Sequence, residues 1–260
     1  MTSFFTSDDT GALTPQDISV SVWSDTQIGG YAVCGALARE IEKTTNAPGF
    51  IPARLTVDLF KPVRTEPLTM RSAIIRRGNR IIMTDATVTQ AGEPRARATA
   101  LYLPTTEDPP GQVWHRADPI SAPPFDDRTE AGPPMITSGD SDWTTDFSAH
   151  NNAERKTIWQ LFPTLVDDEP LSPFQNAALI AENTSLICNW GTHGPGYINT
   201  DMTLTLTRLP TGQGIGLRAD DQLTSRGIAV GTATLFDHLG PAGKCSVTAI
   251  SNARRQHNLT

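Results

Sequence analysis

Leu55-Thr56-Val57-Asp58-Leu59-Phe60-Lys61 and, 147 positions later, Met202-Thr203-Leu204-Thr205-Leu206-Thr207-Arg208 decide how this chain of 260 residues is read. Both alternate apolar and polar residues with period two, as a strand with one buried face must. The same offset carries Arg80-Ile81-Ile82-Met83 onto Gly227-Ile228-Ala229-Val230, and Ala86-Thr87-Val88 onto Ala233-Thr234-Leu235. Gly92 and Gly240, one residue further apart, both fall at a turn before another alternating strand. One residue of slip in a hairpin loop accounts for that change. A strand series repeated at fixed spacing is the mark of a tandem duplication.

Working outward from the strands, each series is preceded by a helix. The first runs from Gly30 to Ile41, with Val33, Leu37 and Ile41 at spacing four. The second runs from Pro173 to about Ile187. Ser172 is placed to cap it, Pro173 sits at its first position and Gln175 at its third, a favourable helix start. Its alanine and leucine content predicts deep burial. Ile18 to Trp23 reads as the opening strand of the first unit, and the second unit shows no equally clear one.

These elements predict an α+β fold of two tandem units, each a long helix wrapped by an antiparallel sheet, which is a double hotdog. One unit alone leaves a sheet edge open, and joining two gives the duplication a physical purpose. The expected organisation is an N-terminal unit over residues 1–105, a linker over 106–150 and a C-terminal unit over 151–260. The linker is rich in proline, aspartate and serine and has neither helical nor strand period. Trp114, Trp143 and Phe147 are expected to pin it to the surface.

Composition narrows the function. Hydrophobic residues make up 38% and charged residues 19%, so a packed core is feasible. The net charge of −7 and the lack of a basic block argue against nucleic acid as a partner. No run of apolar residues is long enough to span a membrane. The N-terminus lacks the basic and apolar regions of a signal peptide, so a cytoplasmic protein is expected. Cys34, Cys188 and Cys245 show neither disulfide nor zinc spacing and read as buried thiols. No metal and no cofactor is predicted.

Trp23-x3-Gln27-Ile28-Gly29-Gly30-Tyr31-Ala32 resembles the helix start of thioesterase-like double hotdog proteins. The second half continues the likeness with Asn189-Trp190-Gly191, Tyr197-Ile198-Asn199-Thr200-Asp201-Met202-Thr203-Leu204 and Arg208-x-Pro210-x-Gly212. It ends with Gly227-Ile228-Ala229-Val230-Gly231 and Leu235-Phe236-Asp237-x2-Gly240-Pro241. That series looks like the C-terminal half of the same family, related to bacterial acyl-CoA thioesterase II. The resemblance covers both halves and not the linker.

The resemblance implies hydrolysis of an acyl thioester, carried by coenzyme A or by an acyl carrier. Such chemistry needs a carboxylate, polar side chains to hold water and amides to meet an oxyanion. It assigns substrate contacts to Gln27, Gly29, Gly30 and Tyr31, although the two glycines equally suit a tight strand-to-helix turn. The carboxylate position falls on Glu182, or on Asn183 by a shift of one residue. Glu182 otherwise reads as a solvent-facing or paired glutamate. The second polar position falls on Asn199, which otherwise satisfies its own backbone at a strand start. The third position, a glutamine in the family, lands on Val247 or Thr248, and of these only Thr248 has a hydrogen to donate.

Other readings remain. One is an acyl-binding protein that has lost turnover, favoured by the missing glutamine. Another is a hotdog enzyme of a different type, dehydratase-like, in a biosynthetic pathway. A hydratase of this fold needs an aspartate five residues before a histidine, and none of the five histidines has one. His193 lies in the loop Gly191-Thr192-His193-Gly194-Pro195-Gly196 and reads mainly as exposed. The serine-hydrolase motif Gly-x-Ser-x-Gly is absent. Arg76, Arg77 and Arg80 cluster at a hairpin and read as a solvated turn. Sheet edges predict a homo-oligomer.

Overall fold

In the computed structural model, which describes residues 2–115, 118–124 and 130–253, each repeat supplies helix and then antiparallel strands. β1 (Ser3–Ser7) precedes α1 (Gly30–Thr45), and α1 leads into β2 (Phe50–Leu59), β3 (Thr69–Arg77), β4 (Ile82–Gln90) and β5 (Glu93–Pro104). β6 (Met135–Ser138), β7 (Lys156–Leu161) and β8 (Thr164–Val166) precede α2 (Pro173–Ala181) and α3 (Thr184–Asn189). β9 (Tyr197–Asn199), β10 (Asp201–Leu206), β11 (Gly214–Ser225), β12 (Ile228–Asp237) and β13 (Gly240–Ser251) follow. Among the described residues eleven of these strands build one sheet in the order β3-β4-β5-β2-β10-β13-β12-β11-β7-β6, with β9 beside β13.

The repeats meet along the strands that revealed them. β2 and β10 pair antiparallel, and Thr56 lies opposite Thr203, its own counterpart 147 positions on. Equivalent residues face each other there, as a local two-fold axis requires. The alternation sorts each strand. Ile82, Thr84, Ala86, Val88 and Gln90 of β4 are buried and the residues between them are not. The buried faces of both repeats share one hydrophobic core with α1 and α2. Val33, Leu37 and Ile41 of α1 lie in it, each contributing roughly 1.5–3 kcal/mol by leaving water.

The helix starts follow their sequence signals. The Ser172 hydroxyl oxygen accepts from the Gln175 amide at 3.1 Å, while the hydroxyl donates to Glu42 of α1 at 2.7 Å. One cap therefore ties the second helix to the first. Four local expectations are corrected. Ile18 to Trp23 is not one strand: Asp17–Ser19 is a 3-10 turn and Val20–Ser21 pairs with Ser24–Ile28 as a small hairpin. The second helix is not continuous to Ile187 but breaks at Glu182 and Asn183. The Pro-rich stretch does contain a strand, β6, which adds to the edge of the sheet beside β7. Trp114 pins nothing and is 87% exposed, whereas Trp143 packs on the Trp159–Phe236 cluster and Phe147 stacks on Trp190 at 5.4 Å.

β1 pairs in parallel with β8, so the N-terminal strand lies against the start of the second repeat. No helix among the described residues is long and apolar enough to cross a membrane.

Candidate active site

α1 begins after Gly29, whose extended backbone makes it the cap and whose amide donates to the Ser19 carbonyl at 2.8 Å. The Tyr31 ring covers Gly29 so closely that a Cβ there would overlap it. The Tyr31 hydroxyl donates to the carbonyls of Ile18 at 3.1 Å and Val20 at 3.4 Å. The Gly29 amide is therefore spent on the turn and is not free to meet a substrate oxygen. Only from Gly30 onward are first-turn amides left without a carbonyl four residues back. Gln27 is half-buried on the small hairpin, and its backbone bridges to Arg64.

The break between α2 and α3 faces this helix start. The ladder tightens there to three-residue spacing: the Asn183 amide donates to Ile180 at 3.0 Å and the Ser185 amide to Glu182 at 3.1 Å. A tightened turn inside a helix often marks a functional bend. It brings the Glu182 carboxylate so close to Gly30 that a Cβ on Gly30 would overlap Oε1. The Asn199 Nδ2 donates to the same oxygen at 3.3 Å. Of the two residues left open by the sequence, Glu182 makes these contacts, while Asn183 caps α3 without a side-chain bond.

Burial pushes the Glu182 carboxyl above the usual carboxylate range, and the Asn199 amide partly opposes the shift. Its charge is felt across the gap. Burial and then the Glu182 charge push the Tyr31 phenol up to about 12, and the same two causes hold the Cys34 thiol well above its ordinary value. Gly30, Tyr31 and Cys34 thus form the wall of α1 nearest the carboxylate.

Thr248 is not brought to this pair. Along β13, Cys245, Val247 and Ala249 are buried in the core, and Thr248 alternates with them. Its amide donates to Asp201 Oδ1 at 2.7 Å and its carbonyl accepts from Thr200 at 2.8 Å. Of the two candidates Val247 is the one turned inward, so the third polar position of the expected set is filled by a hydrocarbon.

A cavity of about 560 Å³ opens at the far end of α3, lined by Ile187, Cys188, Trp190, His193, Tyr197 and Gln222 among others. Of this group the sequence marked Cys188 as a thiol, Trp190 and Tyr197 within the family-like motifs and His193 in its loop, and gave no signal for Gln222. Tyr197 and Asn199 lie on the same face of β9, so that strand runs from the cavity to the Glu182 pair over roughly 7 Å. The seam between α1 and α2 is closed at Gly35, where an added Cβ would stand 2.9 Å from Leu165 and Leu179. An acyl chain laid between the two helices would find no channel at that level. Arg77, one of the hairpin arginines, is likewise engaged, donating to the Thr45 carbonyl at the end of α1. Among the described residues no group of three or more His, Cys, Asp or Glu is placed to hold a metal.

Comparison with known proteins gives the following. Residues 20–103 match the family described as the acyl-CoA thioesterase N-terminal domain. No curated protein matches the chain. The tesB protein of Mycobacterium avium subs. paratuberculosis superposes with a TM-score of 0.68 at 12% identity, over 92% of this chain and 92% of that one. Acyl-CoA thioesterase II TesB2 from Mycobacterium marinum gives 0.66 at 15% identity, over 95% and 94%. A hot dog fold protein from Alicyclobacillus acidocaldarius gives 0.65 at 14% identity, over 94% of each. At these identities the likeness establishes a hotdog fold.

Proposed function

From its place in the thioesterase-like superfamily, carried by the matched first unit and the hotdog fold, we propose that this chain is a double hotdog hydrolase of acyl thioesters. Its units are residues 1–105 and 151–260, joined by 106–150, and its substrate is an acyl-CoA or an acyl carrier thioester. The observation that carries the reading is the Glu182 carboxyl, set against Gly30 at the start of α1, half-buried and bonded by Asn199. A carboxyl with a raised pKa at a helix N-terminus is suited to taking up and releasing a proton while developing negative charge is stabilised.

In the proposed reaction Glu182 takes a proton from water as the water oxygen bonds to the thioester carbonyl carbon. The first-turn amides of Gly30 and Tyr31 meet the charge that develops on the carbonyl oxygen. The carbon–sulfur bond then breaks, and the proton passes from Glu182 to the departing thiolate. Asn199 orients the carboxylate and the water. The acyl group occupies the cavity beyond Tyr197.

A second reading, an acyl-binding protein without turnover, draws on one observation: Val247 faces inward where the resemblance calls for a hydrogen-bonding side chain. Free-thiol release from short, medium and long acyl-CoAs separates the two. Release from at least one chain length supports hydrolysis. Binding without release from any of them overturns it in favour of the second reading.

Assembly as a homo-oligomer is part of the proposal. Ile198, Ile250 and Ile228 stand in register across three strands, each more than half exposed, and Leu223 pairs with Val230 beside them. A second copy of the chain would cover that apolar row. Sedimentation as a monomer at micromolar concentration would contradict this.

A further inference from the structure

β9 and β10 are one strand interrupted. On β13, Ala249 pairs with Asn199 and Ser246 pairs with Thr203. Three steps along β13 therefore face four along its neighbour, so one extra residue is inserted at Thr200–Asp201, a β-bulge. The Asp201 carboxylate repairs the ladder there. Its Oδ1 accepts from the Thr248 amide at 2.7 Å, and the Thr248 carbonyl accepts from the Thr200 amide at 2.8 Å and its hydroxyl at 3.1 Å.

The insertion reverses which residues face the core. Met202, Leu204 and Leu206 point inward. An unbroken alternation would turn Ile198 and Thr200 inward and Asn199 to the outer face. Instead Asn199 stands opposite core-facing Ala249 and reaches Glu182, and Ile198 is 51% exposed beside Ile250. We propose that Asp201 is a positioning residue for the Glu182–Asn199 pair: its carboxylate, bonded to the Thr248 amide, holds the bulge that turns the Asn199 amide onto Glu182. The catalytic consequence rests on the hydrolase reading, while the control of the pair does not.

The test is the titration of the Glu182 carboxyl carbon by NMR, which needs no turnover. The groups facing Glu182 are Asn199 from β9 and Tyr31 and Cys34 from α1. Asn199→Ala removes the bond that opposes the raised pKa, so Glu182 titrates at still higher pH. Asp201→Ala is expected to move it upward as well, by no more than Asn199→Ala does, and the double variant no further than Asn199→Ala. Loss of the Asp201 charge alone would move the titration downward, so an upward shift reports the turned-away amide. Asp201→Asn, which keeps an acceptor oxygen for Thr248 and loses only the charge, is expected to show no upward shift.

A folded Asp201→Ala protein whose Glu182 titrates as in wild type overturns the proposal, as does a double variant whose shift is the sum of the two. Should Asp201→Ala not fold, deletion of Thr200 supplies the second route. The deletion makes the ladder regular and leaves Asn199 opposite Ala249, so adding Asp201→Ala to it is expected to produce no upward shift. An upward shift in that background overturns the proposal. Expected titrations without thiol release from any thioester would remove the hydrolase reading and leave the positioning role standing. With release, Asp201→Ala lowers kcat about as much as Asn199→Ala and leaves KM unchanged.

Discussion

In the first repeat β2 slips its register against β5 between Pro52 and Arg54, and in the second the β9–β10 strand slips against β13 between Asn199 and Thr203. The inserted residues, Ala53 and Thr200, are 147 positions apart, so the bulge recurs at the offset of the strand series. The two copies hold it by different means. Pro52 has no amide to offer a ladder, which makes a bulge the natural place for it in a sheet. The second copy has Asn199 at that position, and the Asp201 carboxylate does the holding. Their helices diverge in parallel: α1 runs unbroken over sixteen residues, while its counterpart bends at Glu182. One copy packs hydrocarbon on the inward side of the bulge, and the other presents an amide to a carboxylate. The backbone irregularity stands in both strand series, and in the second it carries an amide to a carboxylate.

A second matched pair makes the largest prediction. Asp237 and Gln90 occupy equivalent positions at the ends of β12 and β4. Gln90 accepts from the Arg64 amide at 2.9 Å and donates to the carbonyls of Arg64 and Glu66. Asp237 accepts from the Thr211 amide at 2.8 Å, from the Leu239 amide and from both terminal nitrogens of Arg208, and its side chain has no exposed surface. Arg208→Ala leaves this carboxylate buried without its cation, and a loss of about 3 kcal/mol is expected in chemical denaturation. Gln90→Ala in the other unit is expected to cost about 2 kcal/mol, the penalty of unsatisfied backbone groups.

The pair also differs in pH response. Burial would raise Asp237, but Arg208 and the two amides outweigh it and hold the carboxyl at about 2. Its folded pKa is depressed, so the stability it brings is present above the unfolded carboxylate range and lost as pH falls toward 2. Arg208→Ala is expected to flatten that acid limb, and Gln90→Ala to leave it unchanged. Equal limbs in the two variants would break the comparison.

Gly30→Ala sharpens it at the site. The new Cβ overlaps Glu182 Oε1 and must displace the carboxylate. Turnover is expected to fall about 10²-fold, as a displacement on the order of 1 Å can cause, with a much smaller change in thermal midpoint. Glu182 itself carries a pH signature of opposite sign to Asp237. Its folded pKa is raised, so between the unfolded and folded values the native state binds more protons, and its contribution to stability declines as pH rises. Glu182→Gln is therefore expected to gain on wild type in thermal midpoint as pH rises through that interval. A gap independent of pH would contradict the buried, raised carboxyl. The smallest effect is expected from Thr248→Ala, which removes a side chain from the face of β13 opposite the core. Stability within about 0.5 kcal/mol of wild type and turnover within about twofold are expected.

Much of the frame was legible in the chain. Alternation and repetition exposed both strand series, and Ser172-Pro173-x-Gln175 gave the second helix start to the residue. The break at Glu182–Asn183 was not legible, because neither residue is a glycine or proline. β6 was hidden by its length of four residues and its Pro-rich surroundings. Glu182, Asn199, Gly30 and Tyr31 were found together by resemblance, and the structure brings them together. Thr248 was misplaced because a strand's facing depends on register, and the bulge hides register from a sequence reader. A signal was available: Asn199-Thr200-Asp201 puts two residues that strands disfavour into a strand, which points to an irregularity there.

The central claim is that the Glu182 carboxyl at the start of α1 drives thioester hydrolysis. Free-thiol release by Glu182→Gln, measured beside wild type on the same acyl-CoA and with folding checked by thermal unfolding, tests it most directly. The account predicts a loss of at least about 10²-fold in kcat from a protein that remains folded. A rate equal to wild type would contradict it.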